Sequence, residues 1–159
     1  MRTRRALALS AAGAAVAAAV IVLAAGPAAA APGVTDAPGA GADTPRQAVA
    51  RAYIEALVSH DASKVAFAPD ATRVEAGLKT GFNGPQMTRD LEYGPQYRVI
   101  QSIRDLRMSE AGDVVTTTYL LDSGLAGTRL MTVEITETFV VPDGTIHAIV
   151  AHITPKSVL

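Results

Sequence analysis

Thr128–Val141 reads TRLMTVEITETFVV, and its alternation decides the fold. Met131, Val133, Ile135, Phe139 and Val141 occupy odd positions, while Thr132, Glu134, Thr136 and Thr138 occupy even ones. Successive side chains of a strand point to opposite sheet faces, so this segment is a half-buried strand with its odd face inward. Arg129 and Glu137 are the polar residues on that inward face. Arg129 lies near a strand end, where a guanidinium reaches water. Glu137 stands between Ile135 and Phe139, and a carboxylate losing its hydration there becomes a candidate for acid–base work.

Two further strands flank this one. Val114–Asp122 is rich in Val, Thr, Tyr and Leu, and Thr145–Thr154 ends the sheet, with 122–127 and Pro142-Asp143-Gly144 as hairpin loops. A less regular strand spans about Arg98 to Met108, with a bulge suggested near Asp105. A three-residue loop at 142–144 sets Val141 against Thr145, Phe139 against His147 and Glu137 against Ile149. Glu137 and His147 are then diagonal neighbours, an acid–base pair or a structural ion pair. A slip of one residue would separate them.

Upstream, Thr44-Pro45-Arg46-Gln47 is a capping box with proline at the first helical position. Val49, Tyr53 and Leu57 recur every fourth residue behind it and predict a helix. A helical turn over Ala62–Phe67, strands at Ala71–Ala76 and Leu78–Phe82 around Gly77, and a short helix from Gly84-Pro85 to Leu91 follow. The order predicts an α+β domain, its long N-terminal helix packed on a curved antiparallel sheet that encloses an apolar pocket.

Tyr53, Leu57, Arg73, Glu75, Phe82 and Met131 are the ligand-binding candidates, and Glu137, His147 and Tyr119 the catalytic ones. Arg73 and Glu75 share a strand face; they bind a polar ligand group or pair with each other. A buried phenol such as Tyr119 donates to a ligand carbonyl, or is a core residue whose hydroxyl reaches the surface. His147 and His152 point to opposite faces of one strand and cannot chelate one ion. His60, where the first helix ends, suits the helix dipole. No metal or cofactor is expected.

Arg2, Arg4 and Arg5, the apolar run Ala6–Ala25 and Ala28-Ala29-Ala30 form the three parts of a secretory signal peptide. Residues 1–30 are therefore expected to be removed on export, by the Sec or twin-arginine route, leaving a secreted protein without stable membrane insertion. An uncleaved anchor is the alternative. Residues 31–43 lack apolar periodicity and predict a flexible leader; the domain runs from 44 to 159.

Removing three of the fourteen basic residues leaves eleven against fifteen acidic, a net charge of −4. That balance argues against nucleic acid as a partner. The absence of cysteine excludes disulfides and thiolate chemistry.

Tyr53–Pro69 (YIEALVSHDASKVAFAP) and Ala71–Gly77 (ATRVEAG), with a terminal strand after Asp143-Gly144, resemble a secreted SnoaL-like branch of uncharacterised function within the nuclear transport factor 2-like superfamily. The resemblance covers about Thr44 to Pro155 and is carried more by the order of elements than by any one motif. It implies a cone whose open end admits a small hydrophobic molecule. The superfamily includes ketosteroid isomerase, scytalone dehydratase and SnoaL-like polyketide cyclases, but a shared fold does not imply catalysis.

The expectation is thus an exported domain binding a small, mainly apolar molecule, as an isomerase, dehydratase or cyclase if it is an enzyme. Glu137 would then be the base and a tyrosine the electrophilic donor. The competing expectation is a non-catalytic interaction or dimerisation module of the cell envelope, and the Thr-rich outer sheet face permits a homodimer.

Overall fold

The computed structural model describes residues 33–158, so the expected signal peptide lies outside them. The elements are β1 (Gly33–Asp36), α1 (Pro45–Ser59), β2 (Phe67–Glu75), β3 (Leu78–Gly81), α2 (Gly84–Tyr93), β4 (Ile100–Ala111), β5 (Val114–Leu125), β6 (Thr128–Val140) and β7 (Ile146–Val158). One seven-stranded sheet runs in the order β1-β4-β5-β6-β7-β2-β3. Its centre is the antiparallel meander β4 to β7, but β1 joins β4 and β2 joins β7 in parallel. The sheet is therefore mixed, where a purely antiparallel one was expected.

α1 starts as its sequence requires. Thr44 accepts from the Gln47 backbone N–H and Gln47 reaches back to the Thr44 N–H, with Pro45 at the first turn. The helix has fifteen residues and ends at His60 in the left-handed conformation. Ala50, Tyr53, Ile54 and Leu57 recur at helical spacing and are buried with the inward face of β4–β7. Tyr53 meets Phe139 edge-on at 5.4 Å and Phe67 at 6.1 Å between ring centroids. Each such ring removes enough apolar area from water to contribute roughly 2–3 kcal/mol.

The odd face of β6 is the inner one. Val133, Ile135, Glu137, Phe139 and Val141 are buried, as their alternation requires. In β4, Asp105 has φ +58° and the pairing with β5 shifts between Arg104 and Arg107, a bulge that bends the strand over α1.

Four further sequence expectations need correction. Residues 62–67 form no helix: a turn at Ser63–Lys64 leads directly into β2. The β5–β6 connection is not a six-residue loop; both strands continue to a two-residue turn, Ala126-Gly127, with positive φ at both positions. That geometry matches the twist of a hairpin, and it moves Asp122 from the expected end of a strand into its interior.

The 33–43 leader is not free. β1 pairs with the edge of β4, Ala37 N–H donates to Leu106 C=O, and Arg51 of α1 binds Asp36 at 2.8 Å and also Asp43. Backbone partners on an open edge and two ion pairs order a segment whose composition alone could not.

The β6–β7 register differs by two residues from the one a three-residue loop gives. Phe139 faces Ile149 and Glu137 faces Ala151. Val141 is drawn off the ladder, its N–H donating to Asp113 C=O at 2.7 Å and its C=O accepting from Arg46 Nε at 2.8 Å. Asp143 accepts from the Thr145 N–H and hydroxyl and widens the turn further.

Candidate functional site

The register change undoes the Glu137–His147 pair. His147 is half-buried near the loop, its Nε2 3.1 Å from both oxygens of Asp143. Asp143 is itself lowered to about 2, chiefly by the Thr145 hydroxyl and then by His147. The two-residue shift carries His147 away from Glu137 and toward the loop, where its neighbour Ile146 is the residue that enters the core.

Tyr119 takes its place. It lies opposite Ile135 on β5, diagonal to Glu137, and donates its hydroxyl to Glu137 Oε2 at 2.8 Å. Around this pair, Tyr53 comes from α1, Arg73 and Glu75 from β2, and Tyr97 from the turn segment 95–99 between α2 and β4. Arg73 donates through Nε to the Thr80 hydroxyl at 3.0 Å and through Nη1 to the Tyr53 hydroxyl at 3.4 Å, with Glu75 Oε2 3.6 Å from Nε. The Arg73 guanidinium carbon stands 5.7 Å from the centre of the Tyr97 ring. A Cβ added at Gly81 would sit 2.7 Å from the Cβ of Arg73, so the missing side chain lets β3 close over the arginine.

The cluster is interior: Tyr53 and Tyr119 are 1% exposed, Arg73 and Glu137 2%, Tyr97 5%. Burial is the main reason Glu137 is pushed up to about 7. The Tyr119 hydrogen bond opposes that rise, Glu75 adds to it, and Arg73 opposes it. Burial also pushes the phenols of Tyr53, Tyr97 and Tyr119 above their usual range, so they remain neutral donors at ordinary pH. The Tyr97 hydroxyl is buried with no hydrogen-bond partner among the described residues.

Of the other expected ligand-binding residues, Leu57 is in the helix core and Glu75 is half-buried beside Arg73. Met131 is half-buried at the rim, six positions or about 20 Å along β6 from Glu137. Phe82 does not line the interior. It is 59% exposed beside Lys79, because the strand ends at Gly81 and Phe82 begins the turn into α2. The side chains at the centre of the cluster are almost wholly withdrawn from the outer surface. Two surface clefts, of about 510 and 360 Å³, lie instead beside the 36–44 segment and beside Gly33, Val34 and Glu55.

Two contributors escaped the sequence reading. Tyr97 lies in a segment without strand or helix periodicity, and nothing local marks it as interior. Asp122 anchors a second polar cluster on the outward side of the sheet. It accepts from Thr132 at 2.6 Å, Arg104 Nε at 2.9 Å and Ser102 at 3.3 Å. Among the described residues no three His, Asp or Glu side chains are grouped to hold a metal.

Solved structures of similar shape share little sequence with this chain. An LEH-like epoxide hydrolase of M. tuberculosis superposes with a TM-score of 0.56 at 18% identity, covering 69% of this chain and 82% of that one. A SnoaL-like polyketide cyclase from Shewanella denitrificans, so described as putative, gives 0.52 at 18%, covering 68% and 89%. A de novo designed protein with a curved β-sheet gives 0.54 at 17%, covering 72% and 89%. These likenesses establish a nuclear transport factor 2-like fold with a curved, unclosed sheet, and the designed protein shows that such a sheet needs no natural function. No curated protein matches the chain significantly. The family model "Domain of unknown function (DUF8021)" matches residues 41–153, and over that span the chain belongs to this family, on a nuclear transport factor 2-like fold.

Proposed function

We propose that the protein is an exported proton-transfer catalyst acting on a small, mainly apolar carbonyl compound. The reaction is of the isomerase, dehydratase or cyclase kind, at the Glu137–Tyr119–Arg73–Tyr97 cluster. The observation that carries this reading is Glu137: a carboxyl buried on the inner sheet face, poised near neutrality and held by a phenol. A base working at neutral pH needs a proton affinity of that order, and buried perturbed groups cluster at functional sites more often than in ordinary cores. Glu137 takes the proton from carbon, and a tyrosine hydroxyl or Arg73 donates to the oxygen on which charge develops. The fold relatives include an epoxide hydrolase and a polyketide cyclase, which makes small-molecule chemistry a consistent reading of this scaffold. Export rests on the amino-terminal sequence.

The test is deuterium incorporation at the α-carbon of a panel of small ketones and oxo acids in D2O. Acceleration over buffer with an inflection near pH 7, reduced on the order of 100-fold or more in Glu137→Gln, is the expected result. A rate and pH profile indifferent to that substitution reject the assignment.

A second reading is favoured by the closure of the cluster: a non-catalytic envelope module, in which these residues only fill the interior. Its homodimer would use the threonine-rich outer face. Sedimentation that remains monomeric at high concentration argues against the dimer.

A further inference from the structure

We propose that the molecule bound at this cluster is a small apolar carboxylic acid, its carboxylate received by the Arg73 guanidinium and the Tyr97 hydroxyl, beside Glu137. The inference rests on the cluster being the binding site and adds the chemical class of the ligand.

The argument is an inventory of donors and acceptors. A guanidinium carries five N–H donors, and Arg73 uses Nε and one nitrogen of its fork, Nη1, on protein hydroxyls. Nη2 makes no hydrogen bond among the described residues. The Tyr97 hydroxyl, buried beside the same guanidinium, has no partner either. Leaving such a donor unsatisfied costs about 1–3 kcal/mol. On the acceptor side Glu137 Oε2 is engaged by Tyr119. Glu137 Oε1 and the Glu75 carboxylate also make no hydrogen bond among the described residues, so acceptors are spare as well. What singles out a ligand group with two acceptor oxygens is the free half of the planar arginine fork together with the unpartnered Tyr97 hydroxyl. The rest of the surroundings, Tyr53, Phe67, Phe139, Ile149 and Ala151, is apolar or aromatic and suits a hydrocarbon skeleton.

Entry is provided by the turn segment that carries Tyr97. Tyr97 belongs to turn segment 95–99, whereas Tyr53, Arg73, Tyr119 and Glu137 are all fixed on a helix or strands. Swinging out residues 95–97 uncovers the face of Arg73 at the cost of the Ile100 N–H to Tyr97 C=O bond, while Val99 C=O keeps its bond from the Gly124 N–H on β5.

Charge makes the inference pH-dependent. The groups facing Glu137 and its neighbours are Arg73 and Glu75 from β2, Tyr53 from α1, Tyr119 from β5 and Tyr97 from segment 95–99, with Asp90 of α2 near Tyr97; β7 contributes only Ala151 opposite. Arg73 is already partly offset by Glu75, so an incoming carboxylate is held more tightly while Glu137 is protonated than once it has ionised. Binding of an acid therefore weakens as Glu137 ionises, whereas a neutral isostere feels little change.

The test compares cyclohexanecarboxylate, cyclohexanecarboxamide and cyclohexylammonium by NMR titration at pH 6 and pH 8, following the amides of residues 95–99. Expected at pH 6 is an affinity for the carboxylate at least ten-fold above that for the carboxamide, with no binding of the ammonium. The carboxylate should lose about ten-fold by pH 8, and Glu137→Gln should abolish that loss. Tyr97→Phe, which keeps the ring in place, should weaken the carboxylate about five-fold or more. A carboxamide that binds as well as the carboxylate, or a Tyr97→Phe protein with unchanged carboxylate affinity, overturns the ligand class while leaving the site standing. No response to any probe, together with no deuterium exchange, overturns the site itself and the ligand class with it.

Discussion

Glu137 and Asp122 are carboxylates buried in adjacent strands, one on the inner face of the sheet and the other on its outward side, 2% and 0% exposed. Their acidities move in opposite directions. Burial acts on both as the largest single influence and favours the neutral acid. At Asp122 hydrogen bonds from Arg104 and Thr132 outweigh it, aided by the charges of Arg104 and Arg129, and hold the carboxyl below its usual range. At Glu137 one phenol is too little, and the carboxyl rises to about 7. Burial therefore says little about what a carboxylate does; the partners decide. Asp122 has a cationic partner in hydrogen-bond contact and multiple donors, the signature of a structural knot. Glu137 has a neutral donor, and its cluster also holds the Tyr97 hydroxyl, which lacks a partner among the described residues; the proposed site rests on that pair of observations.

The largest effect that can break this contrast is the pH dependence of stability. A carboxyl raised from 4.5 to about 7 binds a proton in the folded state that the unfolded chain has already released. Its contribution is fully present below pH 4.5 and is lost as pH climbs to 7, a decline of about 3 kcal/mol. Urea unfolding across pH 4.5–7.5 should show that decline in the native protein and not in Glu137→Gln. An unaltered slope would mean that Glu137 is ordinary.

Next in size is Asp122→Asn, expected to cost about 2 kcal/mol at neutral pH, since the charge-assisted bonds to Arg104 are lost while the half-exposed arginine regains water. The sign is opposite to that of Glu137: Asp122 stabilises above pH 3.8, and this is lost as pH falls through its lowered folded value. Thermal unfolding of the variant and the native protein should therefore converge in strong acid, and a deficit constant down to pH 2 would refute the assignment.

The smallest effects come from removing one hydroxyl at each site. Tyr119→Phe and Thr132→Val should each cost about 1 kcal/mol. Both should raise the neighbouring carboxyl's pKa in a 13C NMR titration. The shift should be larger for Glu137, which loses its one hydroxyl donor, than for Asp122, which keeps Arg104 and Ser102. Equal shifts would erase the distinction between the two sites.

Much of this architecture is legible in one dimension. The Thr44 capping box, the stripe through Tyr53 and Leu57, and the inward face of Thr128–Val141 are periodic or local features, and the structure has each of them. The bulge at Asp105 also announced itself as a break in the strand pattern. What the pattern could not deliver was register. It brought Glu137 and Tyr119 separately to the interior and then paired Glu137 with His147. The Val141–Asp113 and Val141–Arg46 bonds that set the loop length join residues 28 and 95 positions apart.

From the sequence by itself came the α+β class with its antiparallel meander, the first helix and the face on which Glu137 sits, because side-chain periodicity and capping are properties of neighbours along the chain. The three-dimensional arrangement alone decided that Tyr119 rather than His147 meets Glu137, that Tyr97 covers Arg73, that Phe82 faces water and that the leader becomes an edge strand. Those outcomes depend on hydrogen bonds, ion pairs and ring contacts between distant segments, and no local pattern carries their free energy.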